Sequence, residues 1–271
     1  MKPKLIAEIG WNHMGDMERA KDMIAASANN GTDMVKFQTW STKRLKHGPW
    51  DNDGRLEIYK QAELSKDQHL ELYEYSNKLC IPFFSSVFSV EDAKLLSEIQ
   101  TENVKIASFE SRNKELISFC DEIFATMYIS TGTSSVDEIE KSLTWIKTSN
   151  VVLLHCVSSY PLEYVNANLP RIINLKRLST LKPYKVGYSD HTFGVEGSKI
   201  ALEYDIAVIE KHFTIDRDLP GRDNKFAILP HELKELSDYI KIREKMNIRH
   251  GDGYLKCEQE AREVMTGRFN D

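Results

Sequence analysis

The chain has 271 residues, of which 41% are hydrophobic and 28% are charged, and its formal net charge at pH 7 is −5. This length suits one domain with a sizeable core, and the mildly acidic balance argues against a nucleic-acid-binding protein, which would carry a basic patch. No apolar run approaches the roughly 20 residues that cross a bilayer, and no signal-like leader precedes the first predicted strand. We therefore expect a cytoplasmic protein with neither a membrane partner nor a nucleic-acid partner.

Eight short, β-prone apolar runs recur along the chain, and a helix-like stretch follows each of them. The runs occupy residues 5–10, 33–38, 81–86, 104–108, 127–131, 151–156, 185–190 and 208–213. Alternating strands and helices favour a parallel sheet, and eight such units close a (β/α)8 barrel, for which about 250 residues are typical. The sequence predicts an α/β fold, a single-domain (β/α)8 TIM barrel over residues 1–250, with a helical tail over residues 251–271.

The stretches between the runs carry apolar residues at spacings of three and four, which predicts amphipathic outer helices. We place these helices at residues 17–30, 65–79, 90–99, 136–147 and 231–246, with shorter ones near 113–120, 167–176 and 195–203 and a tail helix near 258–265. The longest connection, residues 39–63, is either a lid over the catalytic mouth or a loop packed on its rim.

The four cysteines show no paired spacing, so we predict reduced thiols rather than a disulfide or a metal site. They are Cys80, Cys120, Cys156 and Cys257. Two of them, Cys80 and Cys156, lie within or beside apolar runs, which is typical of small buried hydrophobic residues.

Polar residues end nearly every predicted strand. In this fold the chemistry lies at the carboxyl ends of the strands, because the loops there converge on one mouth. A strand buried on both faces should be almost wholly apolar, so this pattern indicates a polar ligand. The residues are Glu8, Asn12, His13, Lys36, Gln38, Ser85, Ser86, Lys105, Ser108, Glu110, Ser130, Thr131, His155, Ser158, Tyr160, Ser189, Asp190, His191, Glu210, Lys211 and His212.

Two histidines, His191 and His212, follow the last two predicted strands. Adjacent strands would bring both imidazoles to one mouth, where two nitrogen ligands with open positions suit a divalent transition metal that polarises a carbonyl. The alternative for either histidine alone is a satisfied core or rim residue. Their joint placement favours the metal.

Two lysines, Lys36 and Lys105, lie within or beside apolar strands, where a cation needs a neutralising partner. One interpretation is an anionic ligand such as a phosphate, held by the lysines and by serine hydroxyls. Those serines are Ser86, Ser108, Ser130 and Ser189. The other interpretation is a buried lysine–glutamate pair, and the pattern alone favours neither. The candidate acceptors are Glu8, Glu110 and Glu210.

The motifs at the strand ends resemble those of the sialic acid (N-acetylneuraminate) synthase family, in the family's order and over almost all of residues 4–246. They are Ile6-Ala-Glu-Ile-Gly-Trp-Asn-His, Val35-Lys-Phe-Gln-Thr, Val104-Lys-Ile-Ala-Ser-Phe-Glu, Ile129-Ser-Thr-Gly, Leu154-His-Cys-Val-Ser-Ser-Tyr-Pro, Gly187-Tyr-Ser-Asp-His-Thr, Ile209-Glu-Lys-His-Phe-Thr and Asp216-Arg-Asp-Leu-Pro-Gly-Arg-Asp. Members condense phosphoenolpyruvate with N-acetylmannosamine or a related open-chain aldose. The resemblance implies a phosphoenolpyruvate-dependent transferase that makes a 2-keto-3-deoxy sugar acid, a sialic acid-like nonulosonate, and releases phosphate.

The resemblance also assigns roles to individual residues. It implies that His191 and His212 bind manganese or magnesium, and that Glu8 is an acidic residue involved in the chemistry. Our own hypothesis is that Glu8, with Asp223 as the next candidate, orients or deprotonates the water that adds to C2 of phosphoenolpyruvate. The implied sugar-binding residues are Glu110, Tyr160 and Asp223. The implied phosphoenolpyruvate-binding residues are Lys36, Ser86, Lys105, Ser108, Ser130, Ser158 and Ser189.

The sequence departs from the family's pattern at its C-terminal end. Family members continue into an antifreeze-like domain that reaches over the partner's active site in a homodimer, whereas roughly the last 25 residues here are too few to fold as a domain. A homodimer is still implied. Three alternatives are open for the closure of the site: another surface such as residues 39–63 closes it, a separate cap domain closes it, or the acceptor is different and needs no cap.

Two other functions remain open at this point. A metal-dependent aldolase or sugar isomerase would use the same barrel, metal and carboxylates, because the fold alone does not determine function. Such an enzyme would not need phosphoenolpyruvate. A non-catalytic relative that binds a sugar acid is the other alternative, which the complete set of histidines and lysines disfavours.

Overall fold

Eight parallel strands close into a barrel in chain order, in a computed structural model that describes residues 2–99, 101–178 and 183–269. The strands are β1 (Lys4–Gly10), β2 (Met34–Thr39), β3 (Phe83–Val87), β4 (Asn103–Ile106), β5 (Thr126–Ser130), β6 (Asn150–His155), β7 (Lys185–Asp190) and β8 (Val208–His212). Strand β1 pairs with both β2 and β8, which completes the closure. The predicted TIM barrel is confirmed.

Helices follow the strands and form the outer layer of the barrel. They are α1 (Met17–Asn29), α2 (Arg55–Ala62), α3 (Lys66–Lys78), α4 (Val90–Ser97), α5 (Lys114–Ile123), α6 (Val136–Leu143), α7 (Arg171–Leu175), α8 (Glu196–Ala201), α9 (Pro230–Met246) and α10 (Gln259–Met265). The sequence predicted each of these except α2. Helix α2 lies within the connection 39–63, where the sequence predicted only a lid or a loop.

Local chemistry explains where several of these helices begin. The hydroxyls of Ser65 and Ser135 accept from backbone N–H groups of the first turns of α3 and α6, and both positions form capping boxes. Such caps satisfy the amides that have no partner inside the helix. In the described residues, no helix combines the length and the apolar composition of a membrane-spanning segment.

Strand alternation produces two layers of side chains inside the barrel. The apolar floor of the barrel is one cluster of side chains, in which Leu154 lies one level above Val152 on the same strand. Its members are Ile6, Met34, Phe84, Tyr128, Val152, Leu154 and Val208. Successive inward positions along a strand are two residues apart, so the next inward residue on β1 is Glu8, on β2 Lys36 and on β8 Glu210. The sequence therefore places a polar layer directly above an apolar floor, at the carboxyl ends of the strands.

The tail after α9 lies on the surface. Residues 247–269 are exposed throughout, and they include the short helix α10, which agrees with the tail helix that the sequence predicted. The boundary of the barrel domain at residue 250 stays a prediction.

The apolar floor should contribute strongly to stability. Phe84 is fully buried and its ring centroid lies 5.1 Å from that of Tyr128. Because a large cavity would remain inside the closed barrel, Phe84→Ala should lower the free energy of unfolding by about 3–5 kcal/mol. Urea unfolding followed by circular dichroism measures this change. The exposed Val165→Ala should change the same quantity by less than about 0.5 kcal/mol, and equal effects would contradict the assignment of the floor.

Candidate active site

Four charged side chains meet inside the barrel, directly above the apolar floor. Lys105 Nζ donates to both carboxylate oxygens of Glu210, at 2.6 and 2.8 Å. Lys36 Nζ forms an ion pair with Glu8 and lies 4.0 Å from Glu210 Oε2. All four residues are buried, so each charge needs the others to offset its loss of hydration. We call these residues the four-charge cluster.

The two carboxyl groups of the cluster differ in their affinity for a proton. Burial opposes the charge of Glu210, but Lys105 and Lys36 outweigh burial and lower the pKa of Glu210 to about 2. Burial is also the largest influence on Glu8, where it outweighs Lys36 and, together with the charge of Glu210, raises the pKa above its usual value. A raised pKa suits a carboxyl group for proton transfer near neutral pH. Glu8 is therefore the member of the cluster that is suited to acid–base chemistry.

The cluster identifies the carboxylates that neutralise the two lysines. Two of the three candidate acceptors, Glu8 and Glu210, pair with them as described. The prediction that Glu110 could neutralise a lysine was wrong, because Glu110 lies at the rim in a turn after β4 and accepts instead from Asn113 Nδ2 at 2.8 Å. The buried lysine–glutamate pairs, which were one of the two interpretations of the sequence, are therefore present. Whether the site also suits an anion depends on the hydrogen-bond donors of the surrounding serines.

Serine hydroxyls from neighbouring strands surround the cluster. Ser86 Oγ accepts from Lys36 Nζ at 2.7 Å, and Ser189 Oγ donates to Glu210 Oε1 at 2.8 Å. Ser86 is thus bound to a cation that could hold an anion, and Ser189 is bound to the carboxylate that neutralises Lys105. They add β3 and β7 to the strands that contribute to the polar layer.

Two further hydroxyls are buried without a hydrogen-bond partner in the described part of the chain, those of Ser130 and Ser158. An unsatisfied buried hydroxyl costs free energy. A Cβ atom at Gly132 would come within 2.5 Å of Ser158 Oγ and 2.7 Å of Ser108 Oγ, so glycine is needed for this close approach. The unpaired hydroxyls are thus placed to donate to oxygen atoms of a ligand.

The two predicted metal ligands lie together at the mouth. The ring centroids of His191 and His212 are 5.4 Å apart. His191 Nδ1 lies 2.8 Å from the carbonyl oxygen of Val157, which orients that ring with its Nδ1 as the donor and leaves Nε2 available. His212 Nδ1 is buried, has no hydrogen-bond partner and lies 3.5 Å from Asp223 Oδ2.

The electrostatics of His212 agree with a metal ligand. Burial and the neighbouring His191 lower the pKa of His212 well below its usual value, and a neutral imidazole is the form that binds a metal. Among the described residues, no group of three or more His, Cys, Asp or Glu side chains is arranged to hold an ion by itself. The residues present therefore fit a metal with two imidazole ligands whose other positions are taken by substrate or water.

Three side chains form the outer wall beside the histidines. The Tyr160 ring lies over His191, with 4.2 Å between centroids, and Phe226 packs 5.1 Å from the ring of His212. Burial and the negative charge of Glu8 raise the pKa of Asp223 to about 6. This wall combines an aromatic face with a carboxyl group, as a polyhydroxylated sugar would require.

The connection 39–63 packs against this end of the site. In α2, Tyr59 stacks on Trp11 with a centroid separation of 5.1 Å, and Trp40 contacts both rings edge-on. Burial raises the pKa of the Tyr59 hydroxyl, and the charge of the nearby Asp223 adds to this effect. The segment is therefore packed on the rim beside the predicted sugar-binding residues.

Two residues that received no role from the sequence also face the mouth. Gln38 Nε2 donates to Glu8 Oε1 at 2.7 Å. Cys156 Sγ lies 3.5 Å from Ser108 Oγ and 3.8 Å from His191 Nδ1. Each lies two residues after an inward-facing residue of its strand, so the two-residue period of a β-strand predicts that both side chains face inward. Cys156 is buried, as the sequence indicated, whereas Cys80 is exposed.

Four polar residues at the strand ends point away from the mouth, into the layer between strands and helices. His155 stacks on Tyr188 of the outer core, and Lys211 Nζ lies 3.0 Å from Asp190 Oδ2. Alternation explains this placement, since each is one residue away from an inward-facing position. The four are Ser85, His155, Asp190 and Lys211.

Comparison with known proteins shows extensive similarity. The N,N'-diacetyllegionaminic acid synthase of Campylobacter jejuni subsp. jejuni serotype O:2 is 35% identical over 272 residues, covering 94% of this chain and 80% of that protein. The pseudaminic acid synthase of C. jejuni serotype O:23/36 is 30% identical over 271 residues, covering 95% and 77%. The crystal structure of the N-acetylneuraminic acid (sialic acid) synthetase from Leptospira borgpetersenii serovar Hardjo-bovis, in complex with citrate, superimposes with a TM-score of 0.87 and 34% identity, covering 99% of this chain and 93% of that one.

A family model described as the NeuB family matches residues 23–251. This match and the relatives at 30% identity or more confirm the resemblance that the strand-end motifs carried, and with it the expected enzyme class, a phosphoenolpyruvate-dependent nonulosonic acid synthase. The chain belongs to the NeuB family.

Proposed function

We propose that this chain condenses phosphoenolpyruvate with an open-chain, N-acetylmannosamine-like amino sugar, giving a nonulosonate and phosphate. The observation that carries the proposal is the buried polar layer, in which two ammonium groups and two unpaired serine hydroxyls lie beside a pair of imidazoles. Phosphoenolpyruvate carries a phosphate and a carboxylate, and both match such donors. The relatives' names span legionaminic, pseudaminic and neuraminic acids, which share an amino-sugar acceptor as a class.

The two lysines of the four-charge cluster would bind the phosphoenolpyruvate anion. Lys36 and Lys105 are neutralised by carboxylates in the structure, and the substrate's anionic oxygens would take over part of that role. Ser130 and Ser158 would donate to the same oxygens, gaining the hydrogen bonds that they lack. The apolar floor below limits how deeply the substrate enters.

The new carbon–carbon bond would join C3 of phosphoenolpyruvate to the aldehyde carbon of the sugar. A divalent metal held by His191 and His212 would polarise that aldehyde as a Lewis acid. Val157 fixes the orientation of His191 through its carbonyl oxygen, and the ring of Tyr160 shields that histidine from solvent. Asp223 would accept hydrogen bonds from sugar hydroxyls at the same wall.

Glu8 would complete the reaction by proton transfer. As C3 forms its new bond, C2 becomes electron-deficient, and a water molecule adds there. Glu8, whose pKa is raised, takes a proton from this water, and the former aldehyde oxygen takes up a proton from solvent to become a hydroxyl. The tetrahedral intermediate then loses the proton of its C2 hydroxyl as the bond between C2 and the phosphate oxygen breaks, which gives the 2-keto group and phosphate. Gln38 holds the carboxyl group of Glu8 in place through its amide.

The proposal is tested by phosphate release from phosphoenolpyruvate with manganese, measured with N-acetylmannosamine, mannose and diacetamido hexoses as acceptors. We expect release that depends on both the metal and an amino-sugar acceptor, and that His191→Ala abolishes. Turnover of a sugar without phosphoenolpyruvate would instead indicate an aldolase or isomerase. Binding of phosphoenolpyruvate without release for any acceptor would contradict catalysis.

Replacing Glu8 by glutamine should remove the proton acceptor and keep the size of the side chain, but it also removes the charge that pairs with Lys36, so urea unfolding is measured on the same variant. Glu8→Gln is expected to lower kcat by about 100-fold or more, the range for loss of a general base. Steady-state kinetics on the variant measure this. The exposed Glu98→Gln, on the outer surface after α4, is the matched control and should keep normal turnover. Near-normal kcat for Glu8→Gln would remove Glu8 from this role.

Ser130→Ala should separate binding from stability. The hydroxyl has no partner in the structure, so its loss should not lower the free energy of unfolding, while the KM for phosphoenolpyruvate should rise about tenfold or more because a hydrogen bond to a charged group is lost. Kinetics and urea unfolding on one preparation provide both values.

Ser85→Ala is the control for Ser130→Ala, with the opposite expectation. Ser85 is outward-facing and accepts from Thr39 Oγ1 at 2.7 Å. Its replacement should lower the free energy of unfolding by about 1–3 kcal/mol and leave the KM unchanged. An unchanged KM for Ser130→Ala would contradict the assignment of its hydroxyl to the substrate.

A further inference from the structure

We propose that the buried ion pair of Asp190 and Lys211, behind the barrel wall, is a positioning device that sets His191 and His212 at the spacing needed to bind a metal. The inference rests on the proposed function, because it assumes that the two histidines are the metal ligands. It assigns a role in the reaction to two charged residues that do not reach the mouth.

The pair lies one residue before each histidine, on neighbouring strands. Asp190 on β7 is the register partner of Lys211 on β8. Alternation therefore turns both charged side chains outward at the point where the next residue, a histidine, turns inward. The Lys211 Nζ to Asp190 Oδ2 distance is 3.0 Å, and both side chains are almost completely buried.

Lys211 also bonds the chain on the far side of His191. Its ammonium group donates to the carbonyl oxygen of Thr192 as well as to Asp190. The residues directly before and directly after His191 are thus both attached to one ammonium group, which itself belongs to the residue before His212. One cation consequently joins the two backbone segments that carry the imidazoles.

The Asp190 carboxylate closes this network. Its Oδ1 accepts from the backbone N–H and the hydroxyl of Thr192, both at 2.8 Å, and its Oδ2 accepts from Ser198 Oγ of α8 at 2.6 Å. A Cβ atom at Gly197 would come within 2.5 Å of Thr192 Oγ1, so glycine is needed for α8 to approach. A buried pair with this many hydrogen bonds favours one geometry, since moving either group would leave a buried charge with fewer partners.

Such a network would control the separation and the orientation of the two imidazoles. Two protein ligands determine the metal position only if their separation is fixed, and groups behind metal ligands commonly affect metal affinity by about 10- to 100-fold. In the described part of the chain, by contrast, Lys211 forms its hydrogen bond and ion pair with Thr192 and Asp190 and none with the four-charge cluster. A positioning role therefore predicts a change in metal affinity without a change in phosphoenolpyruvate binding.

The test measures manganese affinity of the substrate-free protein by isothermal titration calorimetry, and phosphoenolpyruvate affinity without metal by the same method. We expect Lys211→Met to weaken manganese binding by about 10- to 100-fold, with phosphoenolpyruvate affinity unchanged. Lys211→Arg should restore much of the manganese affinity. Ser198→Ala removes a hydrogen bond and no charge, so it should fold even where Lys211→Met does not, and it should weaken manganese binding to a smaller extent.

Asp121→Asn is the matched control for loss of stability. Asp121 is also buried and accepts from the backbone N–H groups of Lys147, Thr148 and Ser149, but it lies in the last turn of α5, at the opposite end of the barrel. This variant should lower the free energy of unfolding and keep the wild-type manganese affinity.

Two results would overturn the inference, and they are distinguishable. If wild-type protein binds manganese, His191→Ala removes that binding, and the Lys211 and Ser198 variants bind as tightly as wild type, the pair is only structural and the proposed function survives. If wild-type protein shows no manganese binding that His191→Ala removes, the metal site itself fails, and the inference fails with it.

Discussion

The neutralisation of Lys36 and Lys105 inside the barrel is the interaction on which the site depends. Two ammonium groups within a closed ring of strands lose most of their hydration, and an unpaired charge there would cost several kcal/mol. Glu8 and Glu210 supply the opposite charges in the structure. Any anionic substrate must compete with these carboxylates, so the charges that stabilise the site also set its affinity for the substrate and the protonation of Glu8.

This arrangement gives the two glutamates different tasks. Glu210 faces Lys105 closely and also receives a hydrogen bond from Ser189, so its negative charge is fixed. Glu8 lies where burial dominates, and its pKa is raised. An anion that draws Lys36 away would raise the proton affinity of Glu8 further, which would couple substrate binding to the state of the catalytic carboxyl group. The chemistry thus follows from how charge is shared among four side chains.

The sequence predicted the barrel because strands and helices alternate along the chain. It predicted most of the polar layer because polar residues end nearly every strand. The difference between Ser85 and Ser86 illustrates the limit of that signal: they are neighbours of the same residue type, yet only Ser86 faces the lysines. Which carboxylate pairs with which lysine depended on the register between distant strands, and so Glu110 remained a candidate until the structure placed it at the rim. Helix α2 was missed because residues 39–63 lack a clear apolar stripe and its packing depends on Trp11, far away in sequence.

The most direct test is a crystal structure of the protein with phosphoenolpyruvate and manganese. We expect phosphate or carboxylate oxygens of the substrate within about 3 Å of a lysine ammonium group and of the Ser130 or Ser158 hydroxyl, with the metal on His191 and His212. Phosphoenolpyruvate bound elsewhere, or bound while both lysines keep their carboxylate partners unchanged and the serines stay unpaired, would contradict it.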